Sequence, residues 1–475
     1  MRHLARLLTL SLGLGLGGCG LLPKVGPDYR AAVPPAPQAW QAMQPHAADA
    51  AALTDWWRQW DEPLLAVLID AVEANSPTLP LAWATIQQAR AEQVAAGVAE
   101  RPSLDAGANL SRAEVAFIGP VMSQTSRQAS LMSNWEIDLF GGIARRQEAA
   151  AANYSASRNR WHEARVSLAA ETAQALFQIR YLERRLALAA ADLDSRRTSA
   201  QLTRKLAEAG LQSDEAASLT AAGAADAAAG LIGLRADYDR LIKALVALSG
   251  WSESDLRTQL AAHRGRFPPP AQFRIASLPA AVLAQRPDIA AAERDVAAAS
   301  AAIGRAEAAR YPRLQLTGSL TPLRLTTDGS TVSATAWSIG AGLSMPLVDG
   351  GRIDANVDAA TAQYAAAAAQ FRQKARDAVR EVEQALTQLD AAARREAELR
   401  RAEAGYRSGL AAVRQRHQAG LAGALELEEA SRLALAAEIN LAAWQYEQAV
   451  AWVQLYRAAG GGWTTDAENP TGNRS

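Results

Sequence analysis

The chain predicts a mainly α fold with a small β part, built twice to one plan. Three observations carry this. Arg352 to Arg457 is filled with Ala, Arg, Glu, Gln and Leu, the strong helix formers, and has almost no Gly or Pro over its first fifty residues. It breaks once, at Gln418-Ala419-Gly420-Leu421-Ala422-Gly423. Two pairs of short stretches alternate apolar and polar residues with period two, the signature of strands with one apolar face. Finally, landmarks recur at one spacing: Pro77 and Pro287, Pro102 and Pro312, Gly210 and Gly420, and Gly250 and Gly460 all stand 210 residues apart. Gly141-Gly142 and Gly350-Gly351 repeat within one residue of the same offset. A tandem duplication with one long unit per half follows.

Composition narrows the function. The 475 residues hold 49 basic and 49 acidic side chains, so no basic excess points to nucleic acid. Hydrophobic residues make up 49%, but many are Ala and only 6% are aromatic, which suits extended helix-on-helix contact better than a thick core. The five histidines, His3, His46, His162, His263 and His417, are scattered without metal-ligand spacing. No Gly-rich phosphate loop follows a strand and no nucleophile elbow is present. No catalytic residue, metal or cofactor is expected.

The single cysteine, Cys19, excludes an intrachain disulfide. Arg2, His3 and Arg6 precede the apolar run Leu7 to Leu16, which is too short to span a bilayer and reads as a secretory signal over 1–18. Leu16-Gly17-Gly18-Cys19 resembles the bacterial lipobox. That resemblance implies acylation at Cys19, and Gly20 in place of Asp favours the outer membrane. Residues 19–60, with Pro23, Pro27, Pro34, Pro35 and Pro37, read as an extended leader rather than packed core.

The first repeat covers 61–250. Leu64, Leu65, Leu68, Ile69 and Val72 give a helical face, broken at Asn75-Ser76-Pro77, and a second helix runs from Leu79 to Arg101. A strand pair is expected at about 104–139 and a long hairpin at about 143–248, turning at Ala209-Gly210-Leu211. Ser213 and Asp214 suit the start of the returning helix. A Pro-rich linker, 251–277, carries no obvious chemistry. The second repeat, 278–460, has its strand pair at about 313–347 and its hairpin at about 352–457; 461–475 is a flexible tail.

Two of these features imply partners. A roughly 65-residue helix is ~100 Å long, and a globular domain has no room for it. Val379, Val382, Leu386 and Leu389, spaced 3, 4, 3, give it a coiled-coil seam. Four strands of about ten residues match bilayer-crossing strands, yet closed barrels need about eight. Periodicity alone favours ordinary half-buried soluble hairpins over membrane strands. If the strands span a membrane, several chains must pool them.

With signal, duplication, strand pairs and long hairpins together, the sequence resembles a TolC/OprM-type outer-membrane factor, in the lipoprotein branch. Cys19 followed by Val25-Gly26-Pro27-Asp28-Tyr29 is similar to that branch's mature start. The resemblance implies a homotrimer with a 12-stranded transmembrane β-barrel and a periplasmic α-barrel. It implies a membrane-fusion adaptor and an inner-membrane pump as partners, outer-membrane lipid around the barrel, and passive efflux of small molecules. Protein export by a type I system, on the same fold, and a lipid-anchored periplasmic scaffold are the alternatives. Ala209, Gly210, Leu211, Ala419, Gly420 and Leu421 would form the adaptor-contacting tip. Glu426 and Glu429, six and nine residues past the turn glycine, would form the periplasmic gate. Here they replace the family's Asp, while Ala422 replaces its gate Arg and His417 its Tyr.

Cys19→Ser should abolish incorporation of labelled palmitate while leaving assembly intact. Persistent labelling would refute the lipobox reading.

Overall fold

The computed structural model describes residues 24–42, 53, 56–115, 121–262, 264, 267–275 and 279–463. Cys19, the segment 1–18 and residues 464–475 lie outside them. The elements follow the duplication. The first half has α1 (Pro63–Asn75), α2 (Thr78–Val98), β1 (Ser103–Val115), β2 (Met122–Ile137), α3 (Gly142–Glu208) and α4 (Asp214–Ser249). The short α5 (Glu253–Ala261) and α6 (Pro279–Ala284) join the halves. The second half has α7 (Pro287–Ala308), β3 (Arg313–Thr327), β4 (Ser330–Ser344), α8 (Arg352–Gln418) and α9 (Ala424–Ala458). The long helices α3 and α8 have 67 residues each, and their returns 36 and 35. Contacts divide the chain into two units.

The first unit comprises residues to Val33, Ala84–Arg158 and Ala291–Arg372, and holds the whole β part. It is one four-stranded antiparallel sheet in chain order, β1-β2-β3-β4. Each long helix leaves the sheet through the same device. The Asp138 carboxylate accepts from Ala144 N–H at 2.8 Å, and Asp349 accepts from Gly351 and Ile353 N–H at 3.0 and 2.8 Å. These satisfy first-turn donors that have no partner within the helix. Hydrogen bonds from the Ile353 and Gly351 amides hold the Asp349 carboxyl below its usual range.

The same unit explains Val25-Gly26-Pro27-Asp28-Tyr29. The Arg145 guanidinium on α3 donates to the carbonyls of Val25 and Gly26 and to the Asp28 carboxylate, at 3.1, 3.2 and 2.8 Å. Tyr29 donates to Glu293 on α7. Gly26, at φ +83°, lies against Gly304: a Cβ on either would meet backbone at 2.3 and 2.9 Å respectively. Only two glycines permit that approach.

The second unit comprises Pro34–Trp83, Asn159–Ala290 and residues from Gln373 onward. Its core centres on aromatics. Trp56 is fully buried, stacks on Tyr456 with 5.0 Å between centroids, and donates its indole N–H to the Ala271 carbonyl at 2.8 Å. The leader, expected outside the core, is corrected here: Trp40, Leu53, Trp56, Trp57 and Trp60 are all buried. The Glu383 carboxylate pins it by accepting from Gln41 and Ala42 N–H at 2.7 and 3.0 Å. The linker adds Leu256, Leu260, Phe273 and Ile275. The seam on α8 also faces this core, with Val382 and Leu386 fully buried, Leu389 nearly so, and Val379 packed beside them. At the chain end, Trp463 is buried, so the first residues of the expected tail are packed.

Two buried arginines tie the second unit together. Arg180 on α3 is fully buried and bonds both Glu62 oxygens, Glu183 and the Leu260 carbonyl. Arg286, ahead of α7, bonds Asp288, Glu381 and the Ala458 carbonyl at 2.8–3.1 Å. Burial pushes the Asp288 carboxyl up, but hydrogen bonds and charge from Arg286 pull it below its usual range.

The sign follows from linkage. Asp288 has a lower pKa folded than unfolded, where it is ~3.9, so its contribution is complete above about pH 4 and is lost as pH falls through the folded value. Asp288→Asn should flatten the acid limb of stability, measured by thermal unfolding against pH. Arg286→Gln, which removes the hydrogen-bonded cation shared by two carboxylates, should cost about 3–5 kcal/mol at neutral pH. An unchanged acid limb in Asp288→Asn would contradict the assignment.

Candidate functional site: a two-faced sheet and two hairpin turns

The register places side chains in rows, because directly opposed residues share a face. From the helix end, one face carries Ile137, Leu314 and Leu343, then Trp135, Leu316 and Ala341, then Leu104, Ser133, Gly318 and Ile339, then Ala106, Leu131, Leu320 and Trp337. The other carries Asp105, Asn109, Gln124, Ser126, Gln128, Ser130, Asn134, Gln315, Thr317 and Ser319. Exceptions on the polar face are Met122, Met132, Leu323, Leu325 and Val332. Within one chain the apolar face is uncovered: Leu104, Leu110, Trp337, Ile339 and Leu343 are 67–83% exposed. A contiguous apolar patch of this kind marks contact with lipid or protein. Trp135 sits near the helix end and donates to the Glu100 carbonyl at 2.8 Å; Trp337 lies two rows farther along.

The turns joining the long helices are near copies. Gly210 and Gly420 take φ +75° and +74°. Leu211 N–H bonds Leu206 carbonyl and Gly210 N–H bonds Ala207 carbonyl, at 2.8 and 2.9 Å. Leu421 to Arg416 and Gly420 to His417 repeat the pattern at 2.8 and 3.0 Å. These are the paired bonds of a Schellman termination. They leave Leu211 and Leu421 pointing outward, 70% and 77% exposed, beside Ala209 and Ala419. Ser213 caps α4 by accepting from Ala216 N–H at 3.2 Å, whereas α9 starts at Gly423 without a side-chain cap.

The acidic residues beyond the second turn each have an arginine. Glu426 pairs with Arg416 from the last turn of α8. Glu429 pairs with Arg432 at 2.6 Å, and Glu428 with Arg196 of α3 at 3.0 Å. Ala422 offers no cation, so Arg416 supplies the one that meets Glu426. His417 Nδ1 lies 2.8 Å from the Ala422 carbonyl; since a carbonyl only accepts, that nitrogen carries the proton. Sequence reasoning singled out Glu426 and Glu429 but missed Arg416, which precedes the turn, and Arg196, which is distant in sequence.

Among the described residues no group of His, Cys, Asp and Glu could hold a metal ion. One described helix, α4, is long and apolar enough by length and composition to cross a membrane.

Comparison with known proteins fits this geometry. The profile of the family described as outer membrane efflux protein matches residues 68–251 and again 278–461, reproducing the 210-residue offset. The chain is 30% identical to the outer membrane protein OprJ of Pseudomonas aeruginosa over 96% of this chain and 95% of that protein. It is 28% identical to nodulation protein T of Rhizobium leguminosarum bv. viciae over 97% and 94%. The outer-membrane channel OprN superposes with a TM-score of 0.77 at 29% identity, covering 92% of this chain and 99% of that one.

Gly420→Ala should cost about 1–2 kcal/mol through backbone strain alone, because a new Cβ there meets nothing within 4 Å. Leu421→Ser, at an exposed position, should leave the midpoint of thermal unfolding unchanged. The reverse order would contradict the termination described.

Proposed function

Because the chain belongs to the outer membrane efflux protein family, we propose that it is the passive exit duct of a tripartite efflux system, carrying small molecules across the outer membrane. The observation that carries the reading is the two-faced, four-stranded sheet with open edges at β1 and β4. Four strands cannot close, and open edges are not tolerated in lipid. Three copies pooling their strands give a 12-stranded barrel, apolar face outward and polar face lining the conduit. The helical hairpins continue the wall into the periplasm as an α-barrel. Acylation at Cys19 adds an anchor.

At the far end, Ala209-Gly210-Leu211 and Ala419-Gly420-Leu421 form the tip that meets a membrane-fusion adaptor, which links to an inner-membrane pump. Exposed Leu211 and Leu421 suit such docking. Glu426 and Glu429 line the narrow end, and the Arg416 pairing tunes that ring. Opening it means parting Arg416 from Glu426 or moving both together. The duct needs no chemistry of its own, since the pump supplies the energy.

In mild detergent the unheated chain should migrate as a trimer and collapse to a monomer on boiling. A monomer with a purely helical circular dichroism spectrum would contradict the duct. Cells lacking the protein should become sensitive to toxic small molecules. Loss of a secreted protein with unchanged tolerance would point to protein export instead. Replacing Glu426 and Glu429 together by Gln should weaken divalent-cation block of single-channel current; unchanged block would remove both from the conduit.

A further inference from the structure

Near the hairpin tips of the sheet, the apolar face changes character. One row sets Leu110, Arg127, Arg324 and Ser333 side by side, with Arg127 and Arg324 directly opposed. Like charges directly across a ladder repel and destabilise it. Both side chains are exposed, and neither has an acidic partner within 4 Å among the described residues. Arg112, one row farther out, donates to the Ser123 hydroxyl at 3.2 Å, not to a carboxylate. Of the acids at that end, Glu114 lies beyond Arg112, and Asp328 accepts from Ser123 N–H at 3.2 Å. Both arginines line a hollow of about 710 Å³ together with Leu110, Ala129, Pro322 and Ser333, and Asn109, Gln128 and Leu323 of the other face also border it.

The position is as informative as the charge. From the Ile137 row to the Arg127 row the strand runs about 33 Å at ~3.3 Å per residue. Tilted at ~40°, that is about 25 Å of depth, the height of an outer-membrane apolar band. The arginine pair therefore falls at the outer edge of that band, away from the helices. Arginine stems can lie along apolar surface there while their heads reach the headgroup layer. Both arginines are on the central strands β2 and β3, clear of the edges where copies would join.

We propose that this arginine pair binds a phosphorylated glycolipid of the outer leaflet. Two planar guanidinium groups offer forked donors matched to phosphate oxygens, and an anion between them removes their repulsion. The acyl chains would lie along Leu320, Trp337 and Ile339 toward the helix end. The inference rests on the sheet being the wall of a membrane barrel.

The test uses the full chain in nanodiscs of phosphatidylcholine doped with diphosphorylated lipid A, with retained lipid counted by native mass spectrometry. The wild type should retain lipid A in preference to phosphatidylcholine. Arg127→Gln with Arg324→Gln should lower that retention tenfold or more while keeping the heat-dissociable oligomer. Ser333→Asp, which sets a carboxylate opposite Arg324 and leaves both arginines, should lower it too, so a misfolded double variant does not decide the matter. Equal retention by wild type and Ser333→Asp would overturn the proposal, as would equal retention of lipid A stripped of its phosphates. Full displacement by inorganic phosphate would overturn it in favour of a free-anion site. A wild type that holds neither lipid A nor phosphatidylcholine would instead bring down the barrel reading beneath it.

Discussion

The bare edges of the sheet are the constraint on which the rest depends. β1 and β4 each present a row of backbone N–H and C=O groups with no strand partner among the described residues. In water such an edge invites association; in hydrocarbon each unsatisfied group costs several kcal/mol. The same sheet exposes a band of Leu, Ile and Trp on one face and Asn, Gln, Ser and Thr on the other. Bare edges and two unlike faces have one economical solution, a barrel closed by neighbouring copies with its polar side inward. The duplication then has a physical use. It gives each chain two strand pairs and two hairpins, so that a few copies complete both walls.

The helices must leave the sheet in a fixed direction for such walls to form. Asp138 and Asp349 cap the two long helices in the same way, and paired glycines let the chain turn into them. The leader stiffens the first unit: Arg145 grips Val25, Gly26 and Asp28 while Gly26 presses on Gly304. In the second unit Trp56, Tyr456, Arg180 and Arg286 gather segments far apart in sequence around the alanine-rich helices. Alanine packs closely but buries little area per residue, so the energy is concentrated in a few aromatics and in fully satisfied buried charges.

Much of this was legible in the sequence, for a definite reason. Period two in Leu314 to Leu320 and in Trp337 to Met345 marked the helix-end halves of β3 and β4, while the outer halves, 321–327 and 330–336, carried no such signal and are strand too. Gly210 and Gly420 marked turns that need positive φ. Those signals are local. What escaped was non-local. Nothing in the Pro-rich leader announces that Trp56 stacks on Tyr456, 400 residues away. Nothing near Glu426 announces Arg416 as its partner, because the two are joined only once the turn has closed. The linker looked idle since Phe273 and Ile275 follow no period, yet both enter the core.

The two faces of the sheet give the most direct test of the account. Single cysteines placed one at a time at Leu314, Leu316 and Leu320, and at Gln315, Thr317 and Ser319, in a background lacking Cys19, sample alternate faces of β3. In reconstituted membranes the first set should resist a water-soluble maleimide and respond to lipid-borne quenchers, and the second should label readily. Uniform labelling of both sets would place the sheet outside the bilayer and contradict the account.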